Sequence, residues 1–244
     1  MRLHNRSAIP LKANGQCRLV YHDEKGKPQK ENFPIKLWVS PPHDVYMQGD
    51  VAFDTKAIIL GANKTEFWLT IRPDRISTYW WGKWAEQSRL ANLPLSPRIL
   101  LEALGVADIP PAANYSLQNR GPYDILTQTD DHTSPVKKIY AHTCDYLVRE
   151  IEYFDEDGRI VAVAELENYH KIAEGFSVPT LITVTSPTDQ QKNAALNSVK
   201  IELRSPKPTE LGDRQRQLIF SRPKAHGFEH EFVIIDGKPV ELQR

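Results

Sequence analysis

Apolar and polar side chains alternate along several short segments of this chain, with the period of two that is typical of β-strands. In Glu66–Ile71, the apolar residues Phe67, Leu69 and Ile71 share one face of the predicted strand. The segment Val199–Arg204 alternates in the same way. This pattern predicts a sheet with one apolar face and one face in contact with water.

Segments rich in Val, Ile, Tyr, Trp and Thr recur along most of the chain, separated by clusters of Gly, Pro, Asp and Asn that predict turns. Because the connections between these segments are short, neighbouring strands are expected to pair antiparallel. The predicted strands are Gln16–His22, Asn32–Ser40, Asp44–Phe53, Lys56–Leu60, Glu66–Ile71, Arg75–Trp81, Tyr123–Gln128, Val136–Thr143, Asp145–Phe154, Ile160–Tyr169, Thr180–Ser186, Val199–Arg204 and Phe232–Ile235.

Two segments depart from the strand pattern and predict short helices. In Ser96–Leu104, Ser is a suitable N-cap residue, the following Pro fits the first helical position, and Gly105 can end the helix. The segment Trp84–Asn92 is a second, weaker candidate. Val106–Gly121 is rich in Pro, Ala and Asn and is expected to be a long loop.

These elements predict a mainly β fold with a few short helices, organised as one domain over residues 1–244 in which residues 1–13 are a frayed lead-in. The expected architecture is a strongly curved antiparallel sheet of about ten or more strands. A sheet of this size must cover its apolar face. Short helices are expected to cover only part of that face, which leaves an apolar cavity.

The strand pattern also predicts which residues line this cavity. Residues on one face of the early strands are expected to face the concave side, and the aromatic cluster that follows them is expected to lie near the rim. The alternative for each apolar residue is that it belongs to an ordinary packed core without a cavity. The alternative for the consecutive aromatics is a structural role, in which they pack on both faces of the sheet. The predicted cavity residues are Leu37, Leu60, Phe67, Leu69, Ile71, Tyr79, Trp80 and Trp81.

Composition and charge exclude several classes of function. Lys and Arg together number 31 and equal the 31 Asp and Glu, so the chain lacks the basic excess expected of a nucleic-acid-binding protein. No apolar segment approaches the roughly 18 residues that a membrane-spanning helix needs. The two cysteines, Cys17 and Cys144, are far apart in sequence and leave open whether they form a disulfide.

No motif in the chain predicts a catalytic site, a metal site or a cofactor. His226 and His230 have a spacing that would suit a metal site on a helix, but the second histidine leads into a predicted strand, where this spacing is too wide for one ion. Glycine-rich phosphate loops and nucleophile elbows are absent from the sequence. A pair of catalytic carboxylates brought together only by the fold, as in glycosidases, stays open as an alternative, because the sequence singles out no such pair.

The order of these segments resembles the LolA/RseB-like superfamily of periplasmic lipoprotein-carrier-like proteins. The resemblance covers roughly residues 11–204 as an order of strands, corners and hairpins. Carriers of this superfamily have an arginine at the corner after the second strand, where this chain has Pro41, so arginine-dependent control of a lid is not carried over. The matching segments are Asn14–Gln16, Lys36–His43, Gly61–Asp74 and Arg149–Arg159, with Tyr169 near the end of the returning strand.

The resemblance implies an incomplete β-barrel closed by short helices over an apolar cavity. It implies a non-catalytic envelope protein that binds a lipid acyl chain or a lipoprotein, with an envelope protein as a further partner. The alternative implied by the same superfamily is a sensory, regulatory or structural envelope module without a carrier role. Because members are exported, the resemblance also implies a periplasmic or cell-envelope location and a signal segment removed from this chain.

Overall fold

A computed structural model of the chain describes residues 8–22, 27–51, 54–72, 77–84, 96–108, 114–130, 133–186, 197–235 and 238–242. Two helices are described, α1 (Pro97–Ala103) and α2 (Asp213–Ile219). The fifteen described strands are β1 (Leu11–His22), β2 (Pro28–Ser40), β3 (Asp44–Val51), β4 (Asp54–Ala62), β5 (Glu66–Ile71), β6 (Thr78–Lys83), β7 (Tyr115–Arg120), β8 (Tyr123–Thr129), β9 (Pro135–His142), β10 (Val148–Phe154), β11 (Ile160–Ala173), β12 (Phe176–Ser186), β13 (Asn197–Pro208), β14 (His230–Ile235) and β15 (Lys238–Glu241).

All fifteen described strands belong to one open sheet built from two meanders. The N-terminal meander, β1–β6, and the C-terminal meander, β7–β13, join where β1 pairs with β13. The hairpin β14–β15 extends the sheet beyond β6. Every described pair is antiparallel except β6 with β14, which is parallel. The predicted antiparallel sheet is therefore confirmed, apart from this last pairing.

The position of α1 shows that the sheet is strongly curved. Helix α1 contacts both β4 and β11, which are six strand spacings apart in the sheet order. In a flat sheet these strands would lie about 29 Å apart, at about 4.8 Å per spacing. A helix of seven residues is only about 10 Å long at 1.5 Å per residue. The sheet must therefore curl around α1, and the side that faces α1 is the concave face.

The predicted helix at Ser96–Leu104 is confirmed as α1. Pro97 occupies the start of the helix, and Gly105, at φ 69°, adopts the left-handed conformation that ends it. Ser96 stands at the N-cap position, although its side chain makes no capping hydrogen bond. Most of the helix surface is buried, because α1 lies inside the concavity instead of on the outside of the sheet.

Several predicted boundaries were wrong. Strand β1 already begins at Leu11, within the expected lead-in, and β7 lies inside the expected loop Val106–Gly121. Helix α2 was not predicted. Of the candidate helix Trp84–Asn92, residues 85–92 lie outside the described residues. Strand β7 was missed because it is an edge strand that is largely exposed, so it needs no apolar alternation.

The convex face of β4–β6 is covered by residues 220–229, called here the C-terminal strap. Arg222 lies 4.1 Å from the centre of the Trp81 ring and forms an ion pair of 2.9 Å with Glu66. The Tyr79 hydroxyl donates a hydrogen bond of 2.6 Å to the Pro223 carbonyl. The strap therefore buries an aromatic cluster on the outer side of the sheet, separate from the concave core.

Gly61 allows the largest side chain of this outer cluster to lie flat on the sheet. A Cβ atom at this position would lie 2.4 Å from the Trp68 indole, which is fully buried. We therefore expect Gly61→Ala to lower the free energy of unfolding by about 1–3 kcal/mol through overpacking. Urea denaturation measures this effect. Gly212→Ala is the control, because its Cβ would meet no atom within 4 Å, and equal stabilities of the two variants would contradict the prediction.

Candidate functional site

The concave face is a continuous apolar surface to which both meanders and α1 contribute. Alternating residues of β1–β5 and β10–β13 form one buried cluster with the apolar side of α1. Of the residues predicted to line a cavity, Leu37, Leu60, Phe67 and Leu69 belong to this cluster, and Ile71 and Trp80 pack against it. The structure therefore brings these six residues to the face that α1 covers.

Tyr79 and Trp81 lie on the opposite face, which corrects their predicted position at the rim of the cavity. The register of β5 and β6 places Trp80 opposite Leu69 on the concave side, and Trp81 opposite Trp68 on the convex side. Since consecutive strand residues point to opposite faces, three adjacent aromatics cannot share one rim. Both residues contact the C-terminal strap instead.

A row of polar side chains crosses the concave face on the C-terminal meander. Tyr115 on β7 pairs with Gln128 on β8, which pairs with Lys137 on β9, which pairs with Tyr153 on β10. Residues directly opposite each other in adjacent strands point to the same side of the sheet. The four side chains therefore form a polar row on the concave side of the C-terminal meander.

Glu102 of α1 meets this row as a buried carboxylate. The Lys137 ammonium lies 3.0 Å from Glu102 Oε1, and the two side chains are only 8% and 9% exposed. Arg98, one turn earlier on the same helix, approaches the same oxygen at 3.2 Å. Burial raises the pKa of Glu102, but the attraction of Lys137 and Arg98 outweighs it and holds this pKa below its ordinary value. Glu102 is therefore ionised at neutral pH.

The same carboxylate influences the two tyrosines of the row. Burial, with the charge of Glu102 second, raises the pKa of Tyr115 to about 12. Burial and the charge of Glu102 also raise the pKa of Tyr153 well above its ordinary value, so this hydroxyl stays protonated. The Tyr153 hydroxyl faces the Glu102 carboxylate, and hydrogen bonding between the two side chains also raises the pKa of Tyr153, although the geometry of this contact is not ideal.

Solved structures of three other proteins are similar to this one over most of its length. A LolA superfamily protein from Nitrosomonas europaea has a TM-score of 0.56 and 13% identity, with 91% of this chain and 95% of that chain covered. A domain named as an outer membrane lipoprotein-sorting protein, from Vibrio parahaemolyticus, has a TM-score of 0.55 and 10% identity, with 86% and 89% covered. This chain has a LolA-like fold.

A DUF1329 family protein from Desulfovibrio piger is similar to this LolA-like fold to the same degree, with a TM-score of 0.54, 12% identity, and 87% and 91% of the two chains covered. No family model matches the sequence, and no curated protein matches it. Identities of 10–13% show a shared fold alone. The similarity confirms the predicted resemblance at the level of the fold.

The remaining reactive side chains of this LolA-like chain lie away from the polar row. Cys17 and Cys144 are both free thiols, and burial raises the pKa of Cys17 to about 12. His230 pairs with Glu241 at 2.7 Å on the terminal hairpin. Within the described ranges, no group of His, Cys, Asp and Glu is arranged to hold a metal ion, and neither helix is long and apolar enough to span a bilayer.

Sequence reasoning found the apolar wall of the concave face but missed its polar row. Glu102 was detectable as a charge within the apolar segment Ile99–Leu104. Lys137 was not detectable, because Lys138 follows it and the pair hides which residue faces inward. Only the register of β9 against β10 shows that Lys137 points to the concave side.

Proposed function

We propose that this protein is a non-catalytic lipid-binding protein that holds an acyl chain between α1 and the concave face of its sheet. The observation that carries the proposal is the continuous apolar surface that both meanders place around α1. Burying an acyl chain on such a surface is favourable by about 0.8 kcal/mol for each CH₂ group. Leu37, Leu60, Phe67, Leu69, Ile71 and Trp80 are the proposed contacts.

The LolA-like fold supports this proposal at a coarser level. The similar domain from Vibrio parahaemolyticus is named for lipoprotein sorting in the outer membrane. By this likeness we propose that the acyl chain belongs to a lipid or a lipoprotein of the cell envelope, and that the protein acts in the periplasm. Lipid extraction from protein purified out of a periplasmic fraction, followed by mass spectrometry, is expected to recover an acylated molecule.

Leu69→Trp tests the proposed binding face directly. The larger side chain would fill volume on the concave side without adding charge, so we expect the affinity for a fluorescent fatty acid to fall at least about tenfold, which is 1.4 kcal/mol. Overpacking is also expected to lower the free energy of unfolding by about 1–3 kcal/mol. Binding is therefore measured by fluorescence titration without denaturant, at a temperature well below the unfolding midpoint of the variant.

Glu202→Trp is the matched control, because Glu202 is exposed on the convex face of β13. It adds the same indole outside the proposed site, so its fatty-acid affinity is expected to equal that of the parent. A folded Leu69→Trp protein that binds as tightly as the parent would place the lipid elsewhere. Absence of binding by the parent itself would refute lipid binding altogether.

A further inference from the structure

The convex face of the sheet carries a patch of cations on three adjacent strands, β13, β1 and β2. Ile201, Cys17 and Ile35 of these strands belong to the buried core, so the residues that alternate with them point outward. Glu202 is the one acid among the described residues on the outer face of these three strands. The cations, called here the basic patch, are all exposed: Lys12, Arg18, Lys36, Lys200, Arg204 and Lys207.

The strand register places several of these cations side by side. Lys200 on β13 lies directly opposite Arg18 on β1, and Lys207 lies directly opposite Lys12. Like charges in directly opposite positions destabilise a sheet. An anionic partner on this face would relieve the repulsion, so the arrangement favours a bound negative charge.

The folded protein does not neutralise the patch. Among the described residues, Arg204 is the only member with an ion-pair partner, and its contact with Glu202 is loose, at 3.8 Å. Glu165 of β11 lies in the same row as Lys200, with Thr183 of β12 between them. Two strand spacings separate these charges by about 10 Å, which is about the screening length of their interaction at about 0.1 M salt. The basic patch therefore presents a net positive charge to solvent.

Beyond β12 the charge of the convex face changes sign. Glu150 on β10 lies directly opposite Glu165 on β11, and Glu152 and Glu167 lie on the same side of these strands. Burial, followed by the charges of Glu152 and Glu165, raises the pKa of Glu150. The chain has no net charge, yet its outer surface is divided into a basic part and an acidic part. An extended anionic surface would attract one part and repel the other, which orients the protein.

Aromatic and apolar side chains lie beside the basic patch. Trp38 lies opposite Lys12 on one side and opposite Tyr46 on the other, and both aromatic side chains are half-buried. An ion pair of 3.2 Å holds α2 at the start of β3, two residues from Tyr46, and Leu218 of this helix is 73% exposed. Trp and Tyr favour the membrane–water interface, and Lys and Arg are attracted to anionic headgroups. The combination therefore fits a bilayer surface.

We propose that the basic patch docks this protein onto the surface of a bilayer that contains anionic phospholipids. The cations contact the lipid phosphates, and Trp38 and Leu218 lie at the level of the headgroups. Each basic residue close to an anionic bilayer strengthens binding by about fivefold. The docking surface lies on the opposite side of the sheet from the concave face, so this inference does not depend on the binding of an acyl chain there.

Co-sedimentation of the full chain with lipid vesicles tests the docking. We expect vesicles of phosphatidylcholine with about 30% phosphatidylglycerol to bind the protein at least about tenfold more tightly than vesicles of phosphatidylcholine alone. Raising the salt concentration from about 0.1 M to about 1 M shortens the screening length from about 10 Å to about 3 Å. The higher salt concentration is therefore expected to release the protein from the anionic vesicles.

The triple variant Arg18→Gln/Lys36→Gln/Lys200→Gln assigns the binding to the basic patch. It removes three exposed cations from adjacent strands, so the affinity for the anionic vesicles is expected to fall at least about tenfold. Because the variant also removes the repulsion between Arg18 and Lys200, it is expected to unfold at the same urea concentration as the parent or at a higher one.

The matched control is the triple variant Arg120→Gln/Arg159→Gln/Lys171→Gln. It removes the same total charge from exposed positions on β7, in the turn between β10 and β11, and on β11. These positions lie outside the basic patch, so the control is expected to keep the vesicle affinity of the parent.

The outcomes separate this inference from the proposed function. Equal binding to the two kinds of vesicle, or equal losses in the two triple variants, would overturn the docking surface, as would tighter binding to a DNA duplex than to the anionic vesicles. Leu69→Trp is expected to keep full vesicle binding, because Leu69 lies on the concave face, and a loss there would place the bilayer contact on the wrong side. If the parent binds anionic vesicles but no fatty acid, the docking surface stands and only the proposed function is refuted.

Discussion

Replacing Lys137 with methionine is expected to lower the free energy of unfolding by about 3–5 kcal/mol at neutral pH, because the change leaves the buried Glu102 carboxylate without its closest partner. Arg98 remains, but it is 36% exposed and offsets only part of the loss. Guanidinium denaturation at neutral pH measures the effect. The double variant Lys137→Met/Glu102→Leu is the control, since it removes both charges and is expected to recover most of the lost stability.

The pH dependence of this variant gives an independent test. In the parent, folding lowers the pKa of Glu102, so its stabilising contribution is full above the ordinary value of 4.5 and is lost as pH falls through the lower folded pKa. Without Lys137, burial is expected to raise the folded pKa above that of the parent. The stability deficit of Lys137→Met is therefore expected to shrink as pH falls toward 4. A deficit that stays constant with pH would contradict the role given to Glu102.

Trp68→Ala is expected to lower the free energy of unfolding by about 3–5 kcal/mol. The affinity for a fatty acid is expected to stay unchanged. Trp68 is fully buried on the convex face, opposite Trp81 and next to Gly61, so its removal leaves a cavity in the outer cluster. The proposed lipid-binding face lies on the other side of the sheet. Chemical denaturation gives the stability, and fluorescence titration under native conditions gives the affinity.

Trp38→Ala is the control for this substitution. Trp38 also lies on the convex face, next to Tyr46 with ring centroids 5.9 Å apart, but it is only half-buried. Trp38→Ala is therefore expected to lower the free energy of unfolding by clearly less than Trp68→Ala does. A strong loss of fatty-acid affinity in a folded Trp68→Ala protein would contradict the separation of the two faces.

The sequence by itself determined the strands and the composition of their faces. The alternation in β5 shows which residues share a side, since the strand period of two depends only on local backbone geometry. The helix signals at Ser96, Pro97 and Gly105 are equally local, and α1 lies where they predict it. These features needed no knowledge of distant contacts.

Tertiary structure alone decided what covers each face. The C-terminal strap reaches Tyr79 and Trp81 from more than 130 positions away in the chain, and no local pattern encodes that contact. The strand period already puts Tyr79 and Trp81 on the face opposite Trp80, and the strap explains why these aromatics on the convex face are buried. Long-range burial of this kind depends on the path of the chain, not on the period of a strand.

The polar row was likewise decided by register. Tyr115, Gln128, Lys137 and Tyr153 come from four strands, and each is unremarkable within its own segment. A shift of one residue in any pairing would turn a side chain to the other face. The curl of the sheet then brings Glu102 of α1 onto this row. The apolar wall of the proposed site is therefore a property of the sequence, and the polar row beside it is a property of the folded sheet.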